Sequence, residues 1–169
     1  MSILTMAGIQ TQRGSLVHSP EEAIIAAKNI AKPVALKIQS QDIPHKSQAG
    51  GVVLNVSGND EVEYSFHSIQ STISENHPTA KIEGILVQEM SEPGLEMILG
   101  INNNDGFGPI LMAGFGGVDV EKSRDVAFAP IPLDKEGCYQ LLSKLRGAAI
   151  LDEDKYDVPA LVELMEALS

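Results

Sequence analysis

Four stretches of this sequence carry residue types that do chemistry. The first is Lys37, set between Leu36 and Ile38 in VALKI. On a strand its ammonium points away from the apolar pair and can hold a phosphate as a point charge; the same spacing is that of a lysine on the wet face of an edge strand. The second is the loop Asp42–Gly51, DIPHKSQAGG. His45 can act as base or nucleophile, since an imidazole nitrogen accepts a phosphoryl group. Lys46 and Ser47 add donors, and Gly50 and Gly51 let backbone N–H groups close on an anion. The G-x-x-x-x-G-K-[ST] spacing of a Walker loop is absent. The third is VQEM (87–90) followed by PGLEMILG (93–100). Such a strand offers backbone groups to an adenine edge and Glu96 to ribose hydroxyls, or it is a strand with a polar face. The fourth is GFGGVDVEKSRD (114–125), where Glu121 and Asp125 lie four apart. Two carboxylates suit Mg²⁺ shared with phosphate oxygens; they equally suit a solvated acidic turn.

These residues need elements to place them. Ser19-Pro20-Glu21-Glu22 is a helix start, with Ser19 as cap and Pro20 in the first turn. That helix stops before Pro33. Strands are predicted over 34–38 and 52–56, flanking the polar loop 39–51. Asn59 or Asp60 caps a helix whose apolar stripe is Val62, Phe66, Ile69 and Ile73. Strands follow over 82–90, 95–101, 109–115 and 126–128, with a turn over 102–108. A helix begins near Asp134, with Cys138, Leu141, Leu142 and Leu145 on one stripe, and the last begins near Asp157 and buries Leu161, Leu164, Met165 and Leu168. The order α-β-β-α-β then β-β-β-α-α predicts an α+β protein of two lobes, dividing near Glu89–Gly94.

Composition narrows the function classes. The chain has 169 residues, 43% apolar and 21% charged, enough for a real core. No apolar run reaches the roughly 18–20 residues of a membrane-spanning helix. The N-terminal residues lack the charged start and apolar stretch of a signal peptide, so a cytoplasmic location is the expectation. Cys138 is the sole cysteine, which excludes an internal disulfide and a cysteine-rich zinc site. His18, His67 and His77 have no metal-ligand spacing. A net charge of −11 opposes coating of nucleic acid or anionic membrane. With no Trp and 4% aromatics, a base-stacking platform is poorly supported. The charge is uneven, however. Between Ala23 and Asn59, four lysines (Lys28, Lys32, Lys37, Lys46) face the single acid Asp42, a net +3, whereas the tail from Leu151 carries −5. A positive island attracts an anion whatever the global sign.

Taken together, the motifs resemble one family. PVALKIQSQDIPHKSQAGGVVLNV is similar to the nucleotide-binding lobe of NDP-forming acyl-CoA synthetases, which include the ADP-forming acetyl-CoA synthetases and are related to the succinyl-CoA synthetase β subunit. The pattern P-V-x-L-K-x-x-S-x-D-I-x-H-K-S-x-x-G-G-V is met at Pro33, Val34, Leu36, Lys37, Ser40, Asp42, Ile43, His45, Lys46, Ser47, Gly50, Gly51 and Val52. VQEM, PGLEMILG, FGPILMAGFGGVDVE and RDVAFAPIPL resemble later family blocks in order. The resemblance implies a single ATP-grasp domain over 1–169, with lobes of about 15–88 and 89–169 closing on a nucleotide. It implies that the fold is shortened at both ends, lacking a final strand of the form E-L-D-I-N-P.

By this resemblance Lys37 holds nucleotide phosphate with Lys46, Ser47, Gly50 and Gly51, and His45 relays a phosphoryl group. Gln88, Glu89 and Met90 form the adenine-facing hinge, Glu96 meets ribose, and Glu121 and Asp125 bind Mg²⁺. The implied reaction is acyl-CoA + ADP + phosphate ⇌ acid + CoA + ATP through phosphohistidine, with ATP or ADP and Mg²⁺ as ligands. The implied partner is a CoA-binding and CoA-ligase subunit or domain, in an oligomer. Two other readings stand beside it: a nucleotide-sensing module without turnover, as in an acyltransferase-like protein, and a non-catalytic assembly domain.

Overall fold

The computed structural model describes Leu4, residues 8–104, Gly106, residues 108–117 and residues 125–169. The chain forms two compact units. One is Thr11–Glu92; the other is Pro93–Ser169 with the described residues of Met1–Gln10. The division after Glu92 lies within the expected Glu89–Gly94 stretch, and the N–H groups of Glu89 and Met90 bond to Arg13 O and Pro33 O inside the first unit.

In the first unit the elements are β1 (Gly14–Val17), α1 (Pro20–Ile30), β2 (Val34–Gln39), β3 (Val52–Val56), α2 (Asn59–Asn76) and β4 (Gly84–Glu89). The sheet order is β1-β4-β2-β3, antiparallel throughout. Strand β1 is absent from the sequence expectation: GSLV has one buried residue, Val17, and shows no alternation. The cap of α1 is Ser19, whose Oγ accepts from the Glu22 N–H, as expected. The start of α2 differs. Gly58 is its cap and no side chain bonds there, so Asn59 and Asp60 fall inside the first turn.

Both helices lie on one face of the sheet. Val34, Leu36, Ile38, Val56, Ile85 and Val87 pack against Ala23, Ala26 and Ile30 of α1 and Val62, Phe66, Ile69 and Ile73 of α2. This fixes the register of β2. A one-residue slip would expose Val34, Leu36 and Ile38, at about 1.5–3 kcal/mol for each large side chain. Lys37 is therefore forced onto the sheet face without helices. A bulge between Val34 and Leu36 in the β2–β3 pairing, with Asn55 at φ 58°, returns Val56 to the core side.

The second unit contains β5 (Met97–Asn104), β6 (Gly108–Phe115), β7 (Val126–Pro130), α3 (Lys135–Ser143), a 3₁₀ turn (Ala148–Ile150) and α4 (Val158–Leu168). The three strands form an antiparallel meander in order β5-β6-β7. Strand β5 runs on through Asn104, where the sequence reading placed a turn. Asp134 and Asp157 cap α3 and α4. Leu111, Ala113, Ala127 and Ala129 pack under Cys138, Leu141 and Leu142 of α3 and Val158, Val162 and Met165 of α4. On α4 the buried stripe is thus Val158, Val162 and Met165, while Leu161, Leu164 and Leu168 are only half-buried. Cys138 is fully buried, and burial pushes its thiol pKa up, so it is a core residue rather than a nucleophile. No helix among the described residues is long and apolar enough to cross a membrane.

Candidate functional site

The helix-free face of the β1-β4-β2-β3 sheet is built by strand alternation. Ala35, Lys37 and Gln39 of β2 lie beside Gln88, Leu86 and Gly84 of β4 on successive rungs. Leu16 of β1 and Val52 of β3 extend the Lys37 rung on its two sides. Leu54, two residues on from Val52, shares this face and is 54% exposed; Leu16 is 46% exposed. The face is thus a shallow apolar floor with an ammonium in the middle. Apolar surface left open beside a cation suits a ligand with a flat apolar part and an anionic part.

Lys37 reaches diagonally across the sheet, and its Nζ donates to Gln88 Oε1 at 2.8 Å. One rung further on, Lys46 Nζ donates to Gln39 Oε1 at 2.6 Å. That contact ties the His45 loop to the same sheet face. Within the loop, the Ala49 N–H donates to His45 O, Gly50 N–H to Ser47 O, and Gly51 N–H to Lys46 O. Gly51 O in turn accepts from the Ile38 N–H. His45 and Ser47 are exposed. The imidazole has no hydrogen-bond partner among the described residues.

The loop glycines differ from expectation. Their N–H groups were expected to close on an anion; both are spent inside the loop. The glycines are needed for space instead. A Cβ on Gly51 would lie 2.4 Å from Ile38 Cγ2, and one on Gly50, at φ +73°, would lie 2.8 Å from Thr72 Cγ2. They let the loop lie flat on the sheet and on α2, and the donors left to a ligand are side chains.

The hinge residues divide. Gln88 faces the open side with Lys37. Glu89 turns to the opposite side, where Arg13 Nε and Lys32 Nζ each donate to its carboxylate at 2.9 Å. Hydrogen bonding to Arg13 and then to Lys32 pulls its pKa from 4.5 to about 2. The Arg13 guanidinium also donates to Ile30 O, joining β4 to the end of α1. Glu89 is therefore a structural ion pair and not an adenine contact through its side chain. The backbone N–H groups of Glu89 and Met90 are engaged as well, by Arg13 O and Pro33 O.

In the second unit, Glu96 O accepts from the Gly116 N–H at 2.6 Å. Its exposed side chain runs beside the glycine loop: a Cβ on Gly117 would come within 3.5 Å of Glu96 Oε2. Asp125 is differently placed. Its Oδ1 accepts from the Arg146 N–H at 2.9 Å and its Oδ2 from the Gly147 N–H at 2.8 Å. The bond from Arg146 is the main cause of its lowered pKa. Both Asp125 oxygens thus accept from the 146–147 turn and tie β7 to it. Glu121 lies outside the described residues. Among the described residues no three His, Cys, Asp or Glu side chains gather into a metal cage.

Gln39 was missed by the sequence reading. The available signal was alternation: Gln39 stands two residues after Lys37, on the same face.

Comparison with known proteins agrees with this architecture. A family model described as ATP-grasp domain matches residues 1–169. The chain is 36% identical over 173 residues to acetate–CoA ligase [ADP-forming] I of Archaeoglobus fulgidus, covering 100% of this chain and 25% of that protein. It is 32% identical to the acetate–CoA ligase [ADP-forming] I subunit beta of Pyrococcus furiosus, covering 96% of this chain and 70% of the subunit. Among solved structures, the dinucleotide-forming acetyl-coenzyme A synthetase 1 of Ca. Korarchaeum cryptofilum, in complex with coenzyme A, Ca-AMPCP and HgCl+, matches with TM-score 0.91 and 35% identity. That match covers 97% of this chain and 73% of the other. The chain thus spans a quarter of the length of the first of these ligases. An open sheet face with a central lysine, a histidine loop tied to it, and a match along all 169 residues have one reading: this chain belongs to the ATP-grasp family, as the ATP-grasp portion found in ADP-forming acetate–CoA ligases.

Proposed function

We propose that this chain binds ADP or ATP on the open face of its first unit and exchanges a phosphoryl group between the nucleotide and His45. The observation that carries the reading is the tie between Lys46 and Gln39, which fastens the exposed His45 loop to the sheet face that carries Lys37. In the ATP-forming direction, the P–N bond of phospho-His45 breaks and a P–O bond forms to a terminal oxygen of ADP. The imidazole keeps the electron pair of the broken bond. Such transfers depend on positioning and on charge neutralisation. Lys37 and Lys46 supply positive charge, and the apolar floor of Leu16, Leu54 and Leu86 takes the flat part of the nucleotide.

A divalent cation, Mg²⁺ by expectation, would supply further charge neutralisation on the phosphates when bound. The full acid–CoA ligase reaction requires a CoA-binding and CoA-ligase subunit or domain as partner. The acid is a carboxylic acid of the kinds named for the relatives, acetate among them.

The test is incubation of the chain with γ-labelled ATP and Mg²⁺. Acid-labile, base-stable label on His45, absent from His45→Asn, is the expected result. Label that persists in His45→Asn removes the relay role. A second reading, nucleotide binding without turnover, is favoured by one observation: Asp125 is committed to the 146–147 turn. Under that reading ADP binds and His45 stays unlabelled.

A further inference from the structure

Among the described residues three lysines meet carboxylates, Lys32 on Glu89, Lys135 on Glu163 and Lys155 on Asp152, while Lys28, Lys81 and Lys144 have no ion pair. Nor do Lys37 and Lys46. Among the described residues no carboxylate is within salt-bridge distance of either, in a chain with 23 acids. Each donates to a glutamine amide oxygen, Lys37 to Gln88 and Lys46 to Gln39. An amide oxygen accepts a hydrogen bond from an ammonium but carries no net charge, so it orients the cation and leaves its field intact. A carboxylate at the same place would orient it equally well and cancel the field.

Gln39 is well placed for this. It ends β2, and its backbone O accepts from the Glu83 N–H at 2.8 Å, which anchors its main chain. The residue opposite on β4 is Gly84, which puts no side chain on that face. The Lys46 ammonium reaches the Gln39 amide at 2.6 Å, and both side chains are partly buried. Lys46 adjoins His45 in sequence, so the position of this ammonium and of the histidine backbone are set together.

We propose that Gln39 is a positioning residue: it holds Lys46 beside the phosphate-binding face without neutralising it, so that Lys46 acts as a second cation with Lys37 on a nucleotide's phosphates. The proposal rests on the nucleotide reading above. The test is calorimetric titration of the full chain with ADP, at low and at physiological ionic strength, for the unaltered protein, Gln39→Leu and Gln39→Glu. Gln39→Glu keeps a partner for Lys46, so its melting temperature is expected within about 2 °C of the parent or higher. Its ADP affinity is expected to fall about tenfold or more, with a smaller loss as salt screens the new charge. Gln39→Leu frees Lys46 without adding charge, and a loss of about threefold is expected. The order parent, Leu variant, Glu variant at similar melting temperature supports the proposal. ADP binding by the parent with an equal affinity for Gln39→Glu overturns it. So do equal losses in both variants accompanied by lowered melting temperatures, which mark Gln39 as support for the fold only. Failure of the parent itself to bind ADP overturns the nucleotide reading, and the proposal with it.

Discussion

Lys37 and Gln88, 51 residues apart in sequence, are joined across the sheet: the lysine Nζ donates to the glutamine Oε1 at 2.8 Å. The pair sits on the helix-free face opposite the packed core, with Gln88 on the rung of Ala35 and Lys37 on the rung of Leu86. Replacing Lys37 by Met removes the ammonium and keeps the stem, so the sheet loses no core contact. A charge-assisted contact to phosphate is worth about 1.5–3 kcal/mol, so ADP affinity is expected to fall about 10- to 100-fold. The melting temperature stays near the parent value. Unchanged ADP affinity by calorimetry would exclude Lys37 from phosphate binding.

Glu89 gives a pH prediction. Its folded pKa of about 2 lies below the ordinary 4.5 because Arg13 and Lys32 hold the ionised form. The ionised pair therefore contributes stability in full above the unfolded pKa. That contribution is lost as pH falls through the interval from 4.5 toward 2. Glu89→Gln is expected to melt lower than the parent at pH 7, and the difference should shrink across that interval. A difference that stays constant from pH 7 to pH 2.5 contradicts the ion-pair assignment.

The His45 loop depends on a missing side chain. A Cβ on Gly51 would stand 2.4 Å from Ile38 Cγ2 and 3.2 Å from Lys46 O, with Ile38 itself buried in the core. Gly51→Ala is expected to destabilise the chain by about 1–3 kcal/mol in urea unfolding, the usual cost of overpacking. Labelling of His45 should fall with it, since the loop must lift from β2. Retention of full stability would mean that the loop relaxes without strain.

Asp125 separates a structural role from a metal role. Both of its oxygens accept backbone N–H groups, from Arg146 and Gly147. Asp125→Asn replaces one acceptor with an NH₂ group that faces a donor, and a lower melting temperature is expected. The effect of Mg²⁺ on ADP binding should be unchanged. A variant with the parent's stability that has lost this Mg²⁺ dependence would restore Asp125 as a metal ligand.

Much of this protein is legible in its sequence, and the reason is that the legible part is local. Ser19, Asp134 and Asp157 act as caps because a side-chain oxygen reaches the N–H three residues on. Alternation in VALKI places Lys37 opposite Leu36 and Ile38 before any partner strand is known, and the same rule puts Gln39 beside Lys37. Family resemblance singles out the His45 loop and the order of the later blocks. What tertiary structure alone decides is which groups meet. Glu89 and Gln88 are neighbours in sequence and both read as hinge residues. Strand order β1-β4-β2-β3 sends one to Arg13, 76 residues away, and the other to Lys37. Asp125 has the sequence spacing of a metal ligand, yet a turn 21 residues later takes its oxygens. Gly50 and Gly51 read as an anion cradle until Thr72 and Ile38 show what their missing side chains make room for. Local propensity and periodicity tell which face a side chain occupies. Only the non-local pairing of strands and turns tells which charge, amide or backbone N–H is waiting there, and that decides whether a polar residue serves the ligand or the fold.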